Sequence, residues 1–138
     1  MVVDYKTGGV NVSHWFSHRP QEPQMLLYAL SNAKNLAAVV YGQLRSGKQG
    51  YVGLAHAEGI MPSLELLESG RYHQELLDWP DLLADWSRVV GDLASQYCRG
   101  DATVDPLPNG CDWCELSMLC RVDELRNRQS AALLEEEV

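Results

Sequence analysis

Residues 2–9, Val2-Val3-Asp4-Tyr5-Lys6-Thr7-Gly8-Gly9, decide how the rest of the chain is read. Two β-branched residues run into an acid, an aromatic and a lysine, and then the chain turns at glycine. That pattern predicts a strand over 2–6 ending in a turn. Alternate residues of a strand project from one face, so Asp4 and Lys6 share a face and Tyr5 points to the other. A carboxylate can hold a hard divalent cation, and a neighbouring ammonium can offset charge that develops during phosphoryl transfer. By itself the pair also fits the polar outer face of a half-buried strand.

Outward from this strand, a polar and aromatic loop leads to Pro23, a residue suited to a first helical turn. A helix is predicted from Pro23 to about Ala33. Residues 36–44 form a continuous apolar run of strand length, as a buried central strand requires. The glycine-containing turn RSGKQG and a second run, Tyr51–Ala57, complete a predicted hairpin. Residues 63–70, SLELLESG, read as a short helix capped by Ser63 and stopped by Gly70. From Trp79-Pro80, the residues Leu82, Leu83, Trp86, Val89, Val90, Leu93 and Tyr97 recur at three- and four-residue steps. They predict an amphipathic helix ending near Gly100. Residues 116–134 are expected to form a last helix. The order is mixed α/β: strand, helix, strand, strand, then helices, with the first strand lacking an obvious partner.

The 138 residues suit one ordinary domain with 46% hydrophobic and 22% charged residues, and they contain no apolar run of membrane-spanning length. The net charge of -8 argues against a general nucleic-acid-coating surface, although an enzyme acting on nucleic acid remains compatible with it. The four cysteines are unevenly grouped, which points to a reducing, cytoplasmic setting and a metal site before disulfides. The segment CDWCELSMLCR carries Cys111, Cys114 and Cys120 as C-x2-C-x5-C, a spacing able to wrap an ion or a cluster corner. Buried apolar thiols are the plainer alternative. Cys98 ends the amphipathic helix, where packing explains it at least as well as metal binding. Gln24 and Tyr28, at i and i+4, share one helix face. They are either rim residues bonded locally or donors of an amide and a hydroxyl to a substrate phosphate. His14, His18, His56 and His73 show no ligand spacing; only His14 and His18 fall near the candidate site.

Taken in order, VVDYKTG, PQMLLYAL and CDWCELSMLCR resemble the RecB-like branch of the PD-(D/E)XK nuclease superfamily, which includes DNA-repair exonucleases. The resemblance runs from Asp4 to Arg121. It implies a partial restriction-endonuclease-like α/β core, strand-helix-strand-strand, followed by C-terminal helices and a cysteine motif. It further implies a division into a nuclease-core part at 1–110, a cysteine motif at 111–121, and a C-terminal helix with an acidic tail at 122–138.

Carried over residue by residue, the D-x-K signature falls on Asp4 and Lys6, and the Q-x-x-x-Y motif on Gln24 and Tyr28. Asp4 and the carbonyl of Tyr5 would hold Mg²⁺ or Mn²⁺, Lys6 would act on the attacking water or the developing charge, and Gln24 and Tyr28 would contact DNA or support the site. Cys111, Cys114 and Cys120 match three ligands of a [4Fe–4S] cluster, with zinc as the alternative metal. The implied partners are DNA and a helicase domain or subunit, with no membrane. Met1 lies only three residues ahead of Asp4, whereas the family places a further metal-binding acid, an upstream acid or histidine and a fourth cluster cysteine earlier. The expectation is therefore a C-terminal piece of a larger nuclease, inactive by itself. The rival reading is a non-catalytic module that docks DNA or protein and holds zinc on its cysteines.

Overall fold

A computed structural model describes residues 1–61, 63–67, 78–107, 110–112 and 114–124. The chain divides into two compact units, Met1–Arg99 and Gly100–Val138.

In the first unit β1 (Val2–Lys6) is followed by a 3₁₀ turn (Val12–Trp15), helix α1 (Pro23–Ser31) and a second 3₁₀ turn (Ala33–Asn35). The hairpin strands β2 (Ala38–Arg45) and β3 (Lys48–Ala55), the short strand β4 (Glu65–Leu66) and helix α2 (Trp79–Cys98) complete it. The four strands form one sheet in the order β1-β2-β3-β4. The hairpin pairs antiparallel from Ala38↔Ala55 to Arg45↔Lys48. Its two-residue connection works because Gly47 adopts φ +73°, which costs little without a Cβ.

β1 has a partner after all: it runs parallel to β2, with Val2↔Val39, Asp4↔Tyr41 and Lys6↔Gln43 in register. The expectation of a partnerless strand fails because parallel pairing joins residues about three dozen positions apart through a crossover, here α1, and leaves no local mark.

The residues predicted as a helix at 63–70 are also reassigned. Ser63 has φ 66°, a left-handed conformation unlike the extended one an N-cap adopts. Glu65 and Leu66 then pair parallel with Leu54 and Ala55. Residues 68–70, including Gly70, and His73 lie outside the described residues.

β2 is buried along six of its eight residues, as the apolar run from Ala38 requires; the sixth, Gln43, is a buried amide whose Nε2 donates to the Gly8 carbonyl at 3.0 Å. On one face Val39 and Tyr41 join Trp15, Met25, Leu26, Ala29, Leu54, Trp79, Leu82 and Trp86 in the main core beneath α1 and α2. On the other face Ala38, Val40 and Ala55 pack with Val3, Ile60, Met61, Leu64 and Leu66. Trp15 meets Trp86 edge-on, ring centres 6.0 Å apart at 87°, a favourable arrangement of ring quadrupoles.

α2 begins at Asp78, whose carboxylate accepts the Asp81 N–H at 2.9 Å. Its buried stripe is Trp79, Leu82, Trp86 and Val89. The predicted apolar face does not reach the end of the helix: Tyr97, expected to extend it, is 86% exposed.

The second unit carries a turn at the cysteines and the four-residue helix α3 (Ser117–Cys120). Arg121, at φ 54°, interrupts that helix, so the single helix expected over 116–134 is not continuous. Residues 125–134, and the acidic tail, lie outside the described residues.

Candidate active site

The polarity of β1 follows from its alternation. Val2 joins the core under the helices, so Asp4 and Lys6 emerge on that same face further along the strand, while Tyr5 points away and is 63% exposed. Parallel β1 and β2, joined through α1, bring the first turn of α1 over the carboxyl end of β1. Sites in open α/β sheets form at such strand ends.

α1 turns Met25, Leu26 and Ala29 into the core, which by the helical period leaves Gln24 and Tyr28 together on the outer face. Lys6 Nζ lies 2.9 Å from Asp4 Oδ2 and donates to Gln24 Oε1 at 3.4 Å. Gln24 Nε2 in turn donates to the Tyr28 hydroxyl at 2.7 Å. The four side chains singled out from sequence thus stand in one contact series. Its order fixes the amide: with Nε2 held by Tyr28, the carbonyl oxygen must face Lys6.

The Lys6 ammonium is held above its ordinary value of 10.5, first by its short side-chain contact with Asp4. The charges of Asp4, Glu22 and Tyr28 add to this, and partial desolvation opposes it. Near neutral pH, Lys6 is therefore a cation and a donor, not a base.

Behind this series lies a second one that the sequence reading missed. Tyr41, opposite Asp4 in the sheet, has its ring centre 5.9 Å from Lys6 Nζ. Its hydroxyl accepts from buried Trp15 Nε1 at 2.8 Å and donates to Glu22 Oε2 in a short hydrogen bond. Burial, then the bond to Glu22, pushes the Tyr41 hydroxyl well above its ordinary value, with the Trp15 bond opposing; it stays protonated. Glu22 Oε1 lies 3.5 Å from His14 Nδ1. Of the two histidines placed near the site, His14 is thus beside this network. One signal was available: a tyrosine in the middle of a largely apolar buried strand must find a polar partner.

Asp4 offers something a hard cation can use. Its Oδ2 is withdrawn from water and lies 2.9 Å from the Lys6 ammonium, so a cation would share this carboxylate with Lys6. The fit is partial, since no three His, Cys, Asp or Glu side chains among the described residues are grouped to hold an ion.

The same observation applies to the thiols. Cys114 N–H donates to the Cys111 carbonyl at 3.1 Å, closing a turn over the C-x2-C pair. Yet Cys111, Cys114 and Cys120 do not converge on a common ligand set. As placed, they do not fit a [4Fe–4S] cluster or a tetrahedral zinc, and no chemistry is assigned to them. Among the described residues, no helix is long and apolar enough to cross a membrane.

No curated protein and no solved structure matches the chain. A family model does: that of the PD-(D/E)XK nuclease superfamily matches residues 1–121. That span takes in β1, α1, the hairpin, α2 and the cysteine segment, and on it the chain belongs to the PD-(D/E)XK nuclease superfamily.

Proposed function

We propose that this chain supplies the D-x-K side of a RecB-like, metal-dependent DNA exonuclease site acting in repair or recombination. The observation that carries the reading is the contact series Asp4–Lys6–Gln24–Tyr28, which places a carboxylate, a cation, an amide and a phenol at one strand end. DNA is the substrate that the superfamily implies. A helicase partner and a cytoplasmic setting belong to the same reading and rest on the resemblance and the cysteine usage.

Asp4 and the Tyr5 carbonyl are the groups that would hold Mg²⁺ or Mn²⁺. When bound, such an ion lowers the pKa of a water and neutralises the scissile phosphate. Lys6, cationic and pinned between Asp4 and Gln24, offsets charge developing on the phosphoryl oxygens. Gln24 keeps the ammonium aimed. Tyr28 accepts from Gln24, which leaves its own O–H to donate to a backbone phosphate. Mg²⁺ demands a full octahedral set, so a lone carboxylate and one carbonyl hold it weakly.

The test is cleavage of a linear duplex by the intact protein with Mg²⁺ or Mn²⁺. Asp4→Ala and Lys6→Ala should each lower the rate, on the order of 10²–10³-fold for losing one preorganised electrostatic group. Undiminished cleavage by both variants would sink the reading. The 138-residue chain used alone should bind Mg²⁺ weakly and cleave slowly or not at all. Vigorous nicking by it, lost in Asp4→Ala, would refute that part only. One tight zinc per chain without any cleavage would favour the docking-module rival.

A further inference from the structure

The geometry points to Glu22 as a positioning residue for this site; the inference rests on the nuclease reading above. Glu22 occupies the N-cap position of α1, yet its side chain makes no capping bond, although an N-cap side chain commonly bonds the first-turn N–H groups. The carboxylate is engaged elsewhere. One oxygen takes the hydroxyl proton of Tyr41, and the other lies 3.5 Å from His14 Nδ1. Tyr41 is itself immobile: it is wholly buried, it stands opposite Asp4 in the sheet, and it receives Trp15 Nε1 at 2.8 Å.

Glu22 therefore ties the start of α1 to β2 directly beneath the site. Between Glu22 and Gln24 stands only Pro23, whose ring locks φ and stiffens the link. Fixing Glu22 on Tyr41 fixes Gln24, and Gln24 holds Lys6 at 3.4 Å. Without the anchor, the first turn of α1 is free to shift, and the amide that aims Lys6 shifts with it.

Reach and charge are separable by substitution. Glu22→Gln keeps an oxygen at the same reach to accept from Tyr41 and removes the charge. Glu22→Asp keeps the charge and loses the reach. Glu22→Ala loses both. In steady-state cleavage of duplex DNA by the intact protein, Glu22→Ala and Glu22→Asp should lower kcat by on the order of ten- to a hundredfold, as displacement of a catalytic group does. KM for DNA should stay within about twofold, while Glu22→Gln should recover most of the loss. A second readout needs no activity: the side-chain amide protons of Gln24, observed by NMR, should move in Glu22→Asp and Glu22→Ala and stay in place in Glu22→Gln. Parental kcat together with unmoved Gln24 signals in Glu22→Asp overturns the inference. So does a Glu22→Gln variant as impaired as Glu22→Ala, since charge and not position would then be the cause. Cleavage that survives Asp4→Ala refutes the nuclease reading instead, and the Gln24 signals still judge Glu22.

Discussion

Replacing Tyr41 by Phe deletes one oxygen and leaves the ring that fills the core, so its consequence is almost purely one of hydrogen bonding. Trp15 Nε1, 2.8 Å from that oxygen, belongs to an indole only 1% exposed. Left without an acceptor, such a donor costs about 1–3 kcal/mol. Glu22 also loses its donor, but its side chain is 32% exposed and can turn to water, adding only about 0.5 kcal/mol. The sum, about 1.5–3.5 kcal/mol, is a large share of the roughly 5–15 kcal/mol that stabilises a domain. It should appear in urea unfolding as a lower midpoint with an unchanged m-value. A double-mutant cycle with Trp15→Phe should return a coupling of about 1 kcal/mol or more.

A pH arm strengthens the test. The folded chain keeps the Tyr41 proton above the ordinary value of 10.0, burial being the first cause. The folded state thus binds more protons than the unfolded state above pH 10, so this contribution is full below pH 10 and falls as pH rises through the folded value. Tyr41→Phe should lose stability less steeply above pH 10 than the parent does. Lys6, likewise raised from 10.5, titrates in both proteins and cancels in the comparison. A Tyr41→Phe protein within about 0.5 kcal/mol of the parent, with the same alkaline slope, would refute the claim that this hydroxyl joins two elements.

Gln24→Ala should reduce DNA cleavage about tenfold by releasing Lys6, with stability changed by under about 0.5 kcal/mol because Gln24 is exposed; chemical denaturation beside a cleavage assay separates the two effects. Gly53→Ala should destabilise by about 3 kcal/mol or more, since its Cβ would lie 2.1 Å from the Val39 carbonyl oxygen, where only backbone could yield; thermal melting measures it. Asp78→Ala removes the cap that accepts from Asp81 at 2.9 Å and should cost about 1 kcal/mol, visible as a lowered urea midpoint.

Much of the candidate site's arrangement was legible in the sequence because its parts are local. The two-residue period of β1 put Asp4 and Lys6 together, and the helical period of α1 put Gln24 beside Tyr28. Pro23 at the first helical position marked where α1 begins. The glycine turn near Ser46 marked the hairpin. The helix expected at 63–70 failed because its apolar residues suit a strand edge as well as a helix, and pairing with Leu54 and Ala55 decided between them. The thiols of Cys111, Cys114 and Cys120 share a spacing but not, among the described residues, a common point. Spacing restrains a ligand set without building one.

From sequence alone came whatever depends on neighbours a few residues apart: element types, the faces of β1 and α1, and the superfamily signature those faces display. Tertiary structure alone decided which elements meet. It paired β1 with β2 across the α1 crossover, joined Trp15 to Tyr41 across 26 positions, and brought Glu22 back onto β2 from the N-cap position of α1. Contacts of that range arise from the packing of whole elements, and a periodicity of two or of 3.6 residues carries no record of them.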